Sequence, residues 1–357
     1  MAFDRVTLSQ FRNHHATRLD GTAQFNLLVG ENGAGKTNVL EALSLLSPGR
    51  GLRRAALPEI PAKGGDGGFA VSAVLSQTVM IGTGVRPERA TRRVVQVNGA
   101  EVPAVRLGEW LSVGWLTPAM DRLFAEGAGA RRRFLDRLVL ALEPAHARNA
   151  AKLEGALRER NRLLADEREP DPVWLDAIEA GLAEAGAQVA SARMRLVERL
   201  ADALDELPDA PFARPALAYQ PGGPLDAGEL AAALSASRRR DRAAQRTLTG
   251  PHRDELVVTM AGKDQPAADC STGEQKAMLI AITLAHAGLL DPDRPGILLL
   301  DEVAAHLDPL RREALFDRLR RGAAQVWLTG TELPPFEAIR AEAAVWRISE
   351  GLAERLA

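Results

Sequence analysis

The strongest constraint on this chain is one short run: Gly30-Glu31-Asn32-Gly33-Ala34-Gly35-Lys36-Thr37 fits G-x-x-x-x-G-K-[ST] at every fixed position. An apolar strand pattern, residues 25–29, runs into it, and a helical pattern, residues 38–46, runs out. That order is the one in which the motif works. Glycines let the backbone wrap an anion with its N–H groups turned inward, and the helix N-terminus adds partial positive charge. Lys36 is placed to reach β- and γ-phosphates, and the Thr37 hydroxyl to ligate Mg²⁺. A chain built this way must supply a strand ending in a tight turn and a helix, so an α/β lobe is expected.

A second motif completes the chemistry. Residues 297–300 form an apolar run that ends in Asp301-Glu302. An aspartate at a strand tip can bind Mg²⁺ through water. Glu302, pointing elsewhere, can orient or deprotonate an attacking water. Before it, Ser271-Thr272-Gly273-Glu274-Gln275 opens a helical pattern over 276–290. Taken alone, that stretch is only a helix N-cap.

The texture of the chain changes along its length. Residues 1–118 read as strands with glycine punctuation. Segments 3–8, 25–29 and 69–75 are strand candidates, and Asn98-Gly99 between 92–97 and 100–102 reads as a hairpin turn. Residues 119–246 are rich in Ala, Leu, Arg and Glu. Leu153, Leu157, Leu163 and Leu164, then Ile178, Leu182 and Val189, recur at helical spacing. The segment 208–224 reads as a proline-rich loop. Residues 247–357 return to strands and helices, with buried strands expected at 296–300 and 325–328. An α/β region is thus split by a helical insertion that lacks sustained heptads.

Composition narrows the classes further. The 357 residues carry 45 basic against 47 acidic side chains, a net charge of −2. A globally basic nucleic-acid binder is excluded, and any such role must rest on local patches. The one cysteine, Cys270, excludes a disulfide framework and a cysteine-rich zinc module. The start lacks a signal-peptide pattern, and the apolar stretch 277–290 is too short to span a bilayer. A soluble, cytoplasmic protein without membrane contact is expected.

The three motifs together resemble the ABC-type ATPases, with Ser271 and Gly273 at the signature and Asp308 in a D-loop-like Ala304-Ala305-His306-Leu307-Asp308. Lys36 and Asp301 stand too far apart for a transporter domain, and no long coiled coil separates them. The chain therefore resembles the RecF family of recombination mediators. Phe11-Arg12-Asn13, then Arg131-Arg132-Arg133-Phe134-Leu135-Asp136, then Gly250-Pro251-His252-Arg253-Asp254-Glu255-Leu256, and finally residues 299–315 carry that resemblance. It departs at Ala119 and Met120, at Gly127-Ala128-Gly129 and at Glu274. No Q-loop glutamine is evident. No histidine follows Val326-Trp327-Leu328, so Thr329 or Thr331 stands in the switch region.

The resemblance implies an ABC-type ATPase head with an antiparallel β subdomain and an inserted, mainly α-helical lobe. It implies ATP and Mg²⁺ as cofactors. It also implies a homodimer formed on ATP binding, in which the signature of one copy closes over the γ-phosphate held by the other. DNA, RecR and RecO, and indirectly RecA, are the implied partners in DNA repair and replication. Arg12 is open to two roles, γ-phosphate or DNA contact. Arg131–Arg133, Arg238–Arg240 and Arg242 are candidate phosphate contacts, though in this arginine-rich chain each run also suits a solvated helix face. A transporter ATPase subunit and a stand-alone P-loop kinase or nuclease-linked ATPase are the competing readings.

Overall fold

The computed structural model describes residues 2–168, 170–208, 210–304 and 307–356. Ala305 and His306 of the expected D-loop lie outside the described residues. The chain divides into two compact units, Met1–Asp121 with Thr283–Ala357, and Arg122–Ile282.

In chain order the first unit opens with β1 (Phe3–Phe11), β2 (His14–Asp20), β3 (Phe25–Val29), α1 (Lys36–Ser44), β4 (Phe69–Leu75), β5 (Val79–Val85), β6 (Arg93–Val97), β7 (Ala100–Glu101), α2 (Leu107–Trp110) and β8 (Ser112–Leu116). The second unit follows with α3 (Ala128–Leu142), α4 (His146–Ala165), α5 (Pro172–Asp205), β9 (Pro215–Gln220), α6 (Ala227–Ala243), β10 (Glu255–Met260), β11 (Gln265–Pro266) and the start of α7 (Thr272–Gly288). The chain then closes the first unit with β12 (Gly296–Leu300), α8 (Pro309–Arg321), β13 (Gln325–Gly330), β14 (Ala343–Ser349) and β15 (Leu352–Arg355).

Two sheets build the first unit. One is antiparallel, in the order β2-β1-β4-β5-β6-β7. Strand β4 buries Phe69, Val71, Ala73 and Leu75 in alternation, as a sheet with one wet face does. The β6–β7 hairpin turns on Asn98 and Gly99, at φ of 49° and 82°, as the sequence predicts. The other sheet, β15-β14-β3-β13-β12-β8, is parallel from β14 through β8. Its β3, β12 and β13 are buried along their whole length, which is why they read as continuous apolar runs. One core unites both sheets with α1, and it includes Phe11, Leu28, Val39, Leu43, Phe69, Leu299 and Trp327. Trp327 stacks on Trp346 with centroids 5.7 Å apart.

This topology positions chemistry. Parallel register sets Gly330 of β13 level with Val29 of β3, and Leu300 of β12 level with Leu328. The turns after these strands therefore share the carboxyl edge of the sheet, where open α/β sheets bind ligands.

In the second unit, helices α4, α5 and α6 pack around Leu153, Leu182, Val189, Leu230 and Leu234. Asp171 caps the 34-residue α5 and Pro172 opens it. The segment expected as a loop at 208–224 contains β9, which pairs along its length with β10, from Glu255↔Gln220 to Met260↔Pro215. That pairing ties residues after 247 to the helical unit. Compactness thus divides the chain after Asp121 and after Ile282. Texture alone had drawn these boundaries at 118/119 and 246/247, for domains 1–118, 119–246 and 247–357.

Candidate functional site

The phosphate loop joins β3 to α1, and its shape is held from several sides. Gly30 N–H donates to the Gly330 carbonyl at 3.2 Å, locking the entry of the loop to the end of β13. Gly35 precedes α1 at φ 118°. A β-carbon there would meet the Asn13 amide and His14 Nε2 at 2.8 Å, so glycine is required both by conformation and by space. Asn13 Nδ2 donates to the Ala34 carbonyl at 2.9 Å, and Asn38 Nδ2 donates to Asn13 Oδ1 at 2.7 Å. Buried His14 braces the Gly35 carbonyl through Nε2 at 3.0 Å. From the other end of the chain, Gly351 N–H donates to the Ala34 carbonyl at 3.0 Å.

Lys36 is 4% exposed and donates to the Gly30 and Glu31 carbonyls at 2.6 and 2.9 Å. Burial pushes its ammonium below the ordinary lysine range, while the nearby charges of Glu302 and Asp301 pull it back up. The Thr37 hydroxyl donates to Asp301, 2.9 Å from Oδ1 and 3.1 Å from Oδ2. Thr329 Oγ1 donates to Asp301 Oδ1 at 2.8 Å and accepts from Glu302 N–H at 2.9 Å. A continuous polar chain therefore runs Thr37–Asp301–Thr329–Glu302 across the ends of α1, β12 and β13. Asp301 N–H is itself fixed to the Leu116 carbonyl of β8 at 2.9 Å. Glu302 has a left-handed backbone, φ 53°.

Gly30, Glu31, Asn32, Gly33 and Ala34 line a cavity of about 690 Å³ with Thr331, Arg347 and Ser349. Glu31, Asn32 and Gly33 are exposed there, so the loop presents its backbone to solvent. Arg12 is engaged by α1 and by the Glu59 carbonyl. Its guanidinium is bidentate to Glu41 of α1 at 2.6 and 2.9 Å and donates to the Glu59 carbonyl at 2.7 Å. Arg53 also reaches Glu41, at 2.7 Å, so two arginines clamp one buried carboxylate on α1.

The signature residues belong to the second unit. Ser271 Oγ and N–H donate to Glu274 Oε2 at 2.8 and 2.9 Å, and Glu274 N–H donates back to Ser271 Oγ at 3.3 Å. This is a capping box at the start of α7. Lys263 and the two bonds from Ser271 push the Glu274 carboxyl down to about 2. Ser271, Thr272 and Gly273 are exposed. Asp308, exposed, caps α8 by accepting from Arg311 N–H at 2.9 Å.

Sequence reasoning named the loop, Asp301, Glu302 and the signature. It missed Asn13, His14, Glu41 and Gly351 as supports of the loop, and it named Thr329 without its bridging bonds. Their only signal was adjacency: Asn13 and His14 follow Arg12, and Glu41 falls on the buried face of the helix that Lys36 starts.

A parallel sheet that presents a phosphate loop at one strand end and a carboxylate pair at another, with a capped Ser-Thr-Gly turn in an inserted unit, defines an ABC-type ATPase head. The RecF/RecN/SMC N terminal domain matches residues 2–347. The DNA replication and repair protein RecF of Mesorhizobium japonicum is 46% identical, covering 97% of this chain and 96% of that protein. The protein of the same name from Caulobacter vibrioides is 45% identical, with the same shares covered. Solved structures of the recombination mediator protein RecF-ATPrS and RecF-ATP in the RecFOR pathway superpose with TM-scores of 0.88 and 0.87. They are 23% identical and cover 99% and 100% of this chain and 98% of each of theirs; they show the shared fold. The chain belongs to the RecF family. Among the described residues, no helix is long and apolar enough to cross a membrane.

Proposed function

We propose that this chain is an ATP-driven DNA-binding protein of recombinational repair and replication, and that two copies close around ATP. The observation that carries the reading is the polar chain from Thr37 through Asp301 and Thr329 to Glu302, which couples the phosphate cradle to a carboxylate pair. RecF relatives that match nearly the whole chain support it.

In this reading, Lys36 exchanges its two loop carbonyls for β- and γ-phosphate oxygens. The loop N–H groups of residues 30–35 hold the β-phosphate. Thr37 and Asp301 offer only hard oxygen donors, a set that suits Mg²⁺ with water and phosphate completing its shell. Mg²⁺ bound there supplies neutralisation of phosphate charge. Glu302 takes the proton of the attacking water. Thr329 fixes the Glu302 backbone and so aims it. Ser271 and Gly273 of a second copy close over the γ-phosphate, with Asp308 beside the junction and Arg12 setting α1 through Glu41. Neither copy has a whole site alone, so turnover is slow and rises when DNA favours the closed pair. Nucleotide thereby sets dimer state, and dimer state sets DNA affinity. Family membership supports work with RecR and RecO and help to RecA loading in the cytoplasm as parts of the same proposal.

Sedimentation velocity tests this directly. The wild-type chain should shift from monomer to dimer on adding ATP and Mg²⁺, and Lys36→Met should stay monomeric. A Lys36→Met protein that dimerises as tightly as wild type would remove nucleotide from the interface.

A further inference from the structure

The arginine runs singled out in the sequence divide sharply in the fold. Arg131 is bidentate to Glu255 at 2.7 and 2.8 Å. Arg238 is held by Glu179 and Asp176. Arg242 donates to the carbonyls of Asp166, Glu167 and Arg168 at the end of α4. These three have structural work. Among the described residues, no salt bridge to a carboxylate holds Arg132, Arg240 or Arg253. Arg132 donates a single bond, to the Asp254 carbonyl at 2.8 Å. Among the described residues, Arg240 reaches the Thr249 hydroxyl alone, at 3.1 Å. Arg253 is exposed, and its guanidinium has no acceptor among the described residues.

These groups converge on one loop. His252 Nε2 bonds the Thr247 carbonyl at 2.9 Å, and Arg240 holds Thr249 of the same loop. Arg132 and Arg253 stand within electrostatic reach of each other and of His252. Burial, then Arg193, push the Arg132 guanidinium below its ordinary range; Glu255 and Asp254 pull it up and Arg253 pushes it down again. Both carboxylates are already engaged. Glu255 serves Arg131, and Asp254 accepts from Arg193 at 2.8 Å, from the Tyr219 hydroxyl and from Gly222 N–H at 2.8 Å. A guanidinium has five N–H donors, and among the described residues Arg132 uses one. An oxoanion is the chemistry this arrangement lacks.

We propose that Arg132, Arg253 and Arg240 form a phosphodiester-binding surface on the second unit that takes the backbone of duplex DNA. The inference rests on the DNA-binding reading above and names the residues that would carry it. Backbone rather than base contact follows from the side chains at hand: the one tyrosine of the chain, Tyr219, is turned to Asp254, and aromatics are 4% of the sequence. With a net charge of −2, attraction to DNA must come from such a local patch.

The test is duplex binding by the full chain with ATP and Mg²⁺ across a salt series. Removing one arginine that neutralises a phosphate lowers the log–log salt slope by about one. Arg253→Gln should lower it by about one, and Arg132→Gln with Arg253→Gln by about two. Arg253→Lys, which keeps the charge, should restore the slope. Arg158→Gln, an exposed arginine of α4 paired with Glu154, should leave it unchanged. Since Arg253 is exposed and its guanidinium has no acceptor among the described residues, its single variant is expected to fold even if the double one does not. Unchanged slope and affinity in Arg253→Gln, with wild type binding duplex, would overturn the patch while leaving DNA binding standing. A loss seen in ATP titration instead of DNA titration would assign the arginines to nucleotide and overturn it as well. Failure of the wild-type chain to bind duplex at any salt would instead sink the DNA-binding reading, and the patch with it.

Discussion

Glu302 occupies a backbone region, φ 53°, that side chains bearing a β-carbon rarely enter. Such strain is typically worth about 1–3 kcal/mol and persists where surrounding contacts over-determine it. Here the contacts are the Thr329 hydroxyl on the Glu302 N–H and the β12 strand packed before it. Glu302→Gln keeps the shape and removes the base assigned in the proposed mechanism. It should bind ATP as wild type does, accumulate the ATP-bound dimer and lose hydrolysis by about 10²-fold or more; single-turnover assays with chromatography read both. Rapid turnover by this variant would move the proton acceptor elsewhere. Lys36, Thr37, Asp301 and Glu302 were legible because their chemistry is tied to fixed local spacing. The supports from Asn13 and His14, and the bonds by which Thr329 bridges Asp301 and Glu302, were not, because each acts on a residue distant in sequence and nothing in its neighbours announces the partner. Arg12 shows the limit from the other side. Its type was noted, but only the fold shows its fork engaged by Glu41.

Helix α5 hides its own pattern. Leu175, Leu182, Val189 and Leu196 are buried at seven-residue spacing, and Glu179, Gly186, Arg193 and Leu200 are buried four positions after each. The heptad is invisible in the sequence because charges fill two of the second positions. Each charge is satisfied inside: Glu179 by Arg160 and Arg238, Arg193 by Asp136 and Asp254. Gly186 lets Leu230 and Pro251 come close, since a β-carbon would meet them at 3.1 and 3.2 Å. Arg160 is fully buried between Glu179 and Asp241. Arg160→Met strands the Asp241 charge and should lower stability by about 3 kcal/mol in urea unfolding. A change under about 0.5 kcal/mol would show these ions to be replaceable. Strands were read better where both faces are buried, as in β3 and β12, than where glycine dilutes the run, as in Ser112–Leu116 of β8. The strand β9 escaped because prolines and glycines flank it and its burial alternates.

At the scale of the whole molecule, the phosphate loop and the signature turn belong to different compact units, and the signature turn is exposed. If two copies close around ATP as proposed, Ser271→Arg should leave ATP binding by the single chain intact, within about twofold, and abolish ATP-driven association. Equilibrium dialysis and sedimentation separate the two; loss of binding by the monomer would place the signature in cis. Texture draws boundaries at 118/119 and 246/247, whereas compactness divides the chain after Asp121 and after Ile282, and the long-range β9–β10 pairing ties residues 255–260 to the second unit.

The clasp on the Ala34 carbonyl joins distant parts of the chain. One of its bonds comes from Asn13 and the other from Gly351, whose missing side chain is obligatory, as a β-carbon would fall 1.9 Å from the Asn13 carbonyl oxygen. The held shape of the phosphate loop thus depends on the turn between β14 and β15, far along the chain from the loop itself.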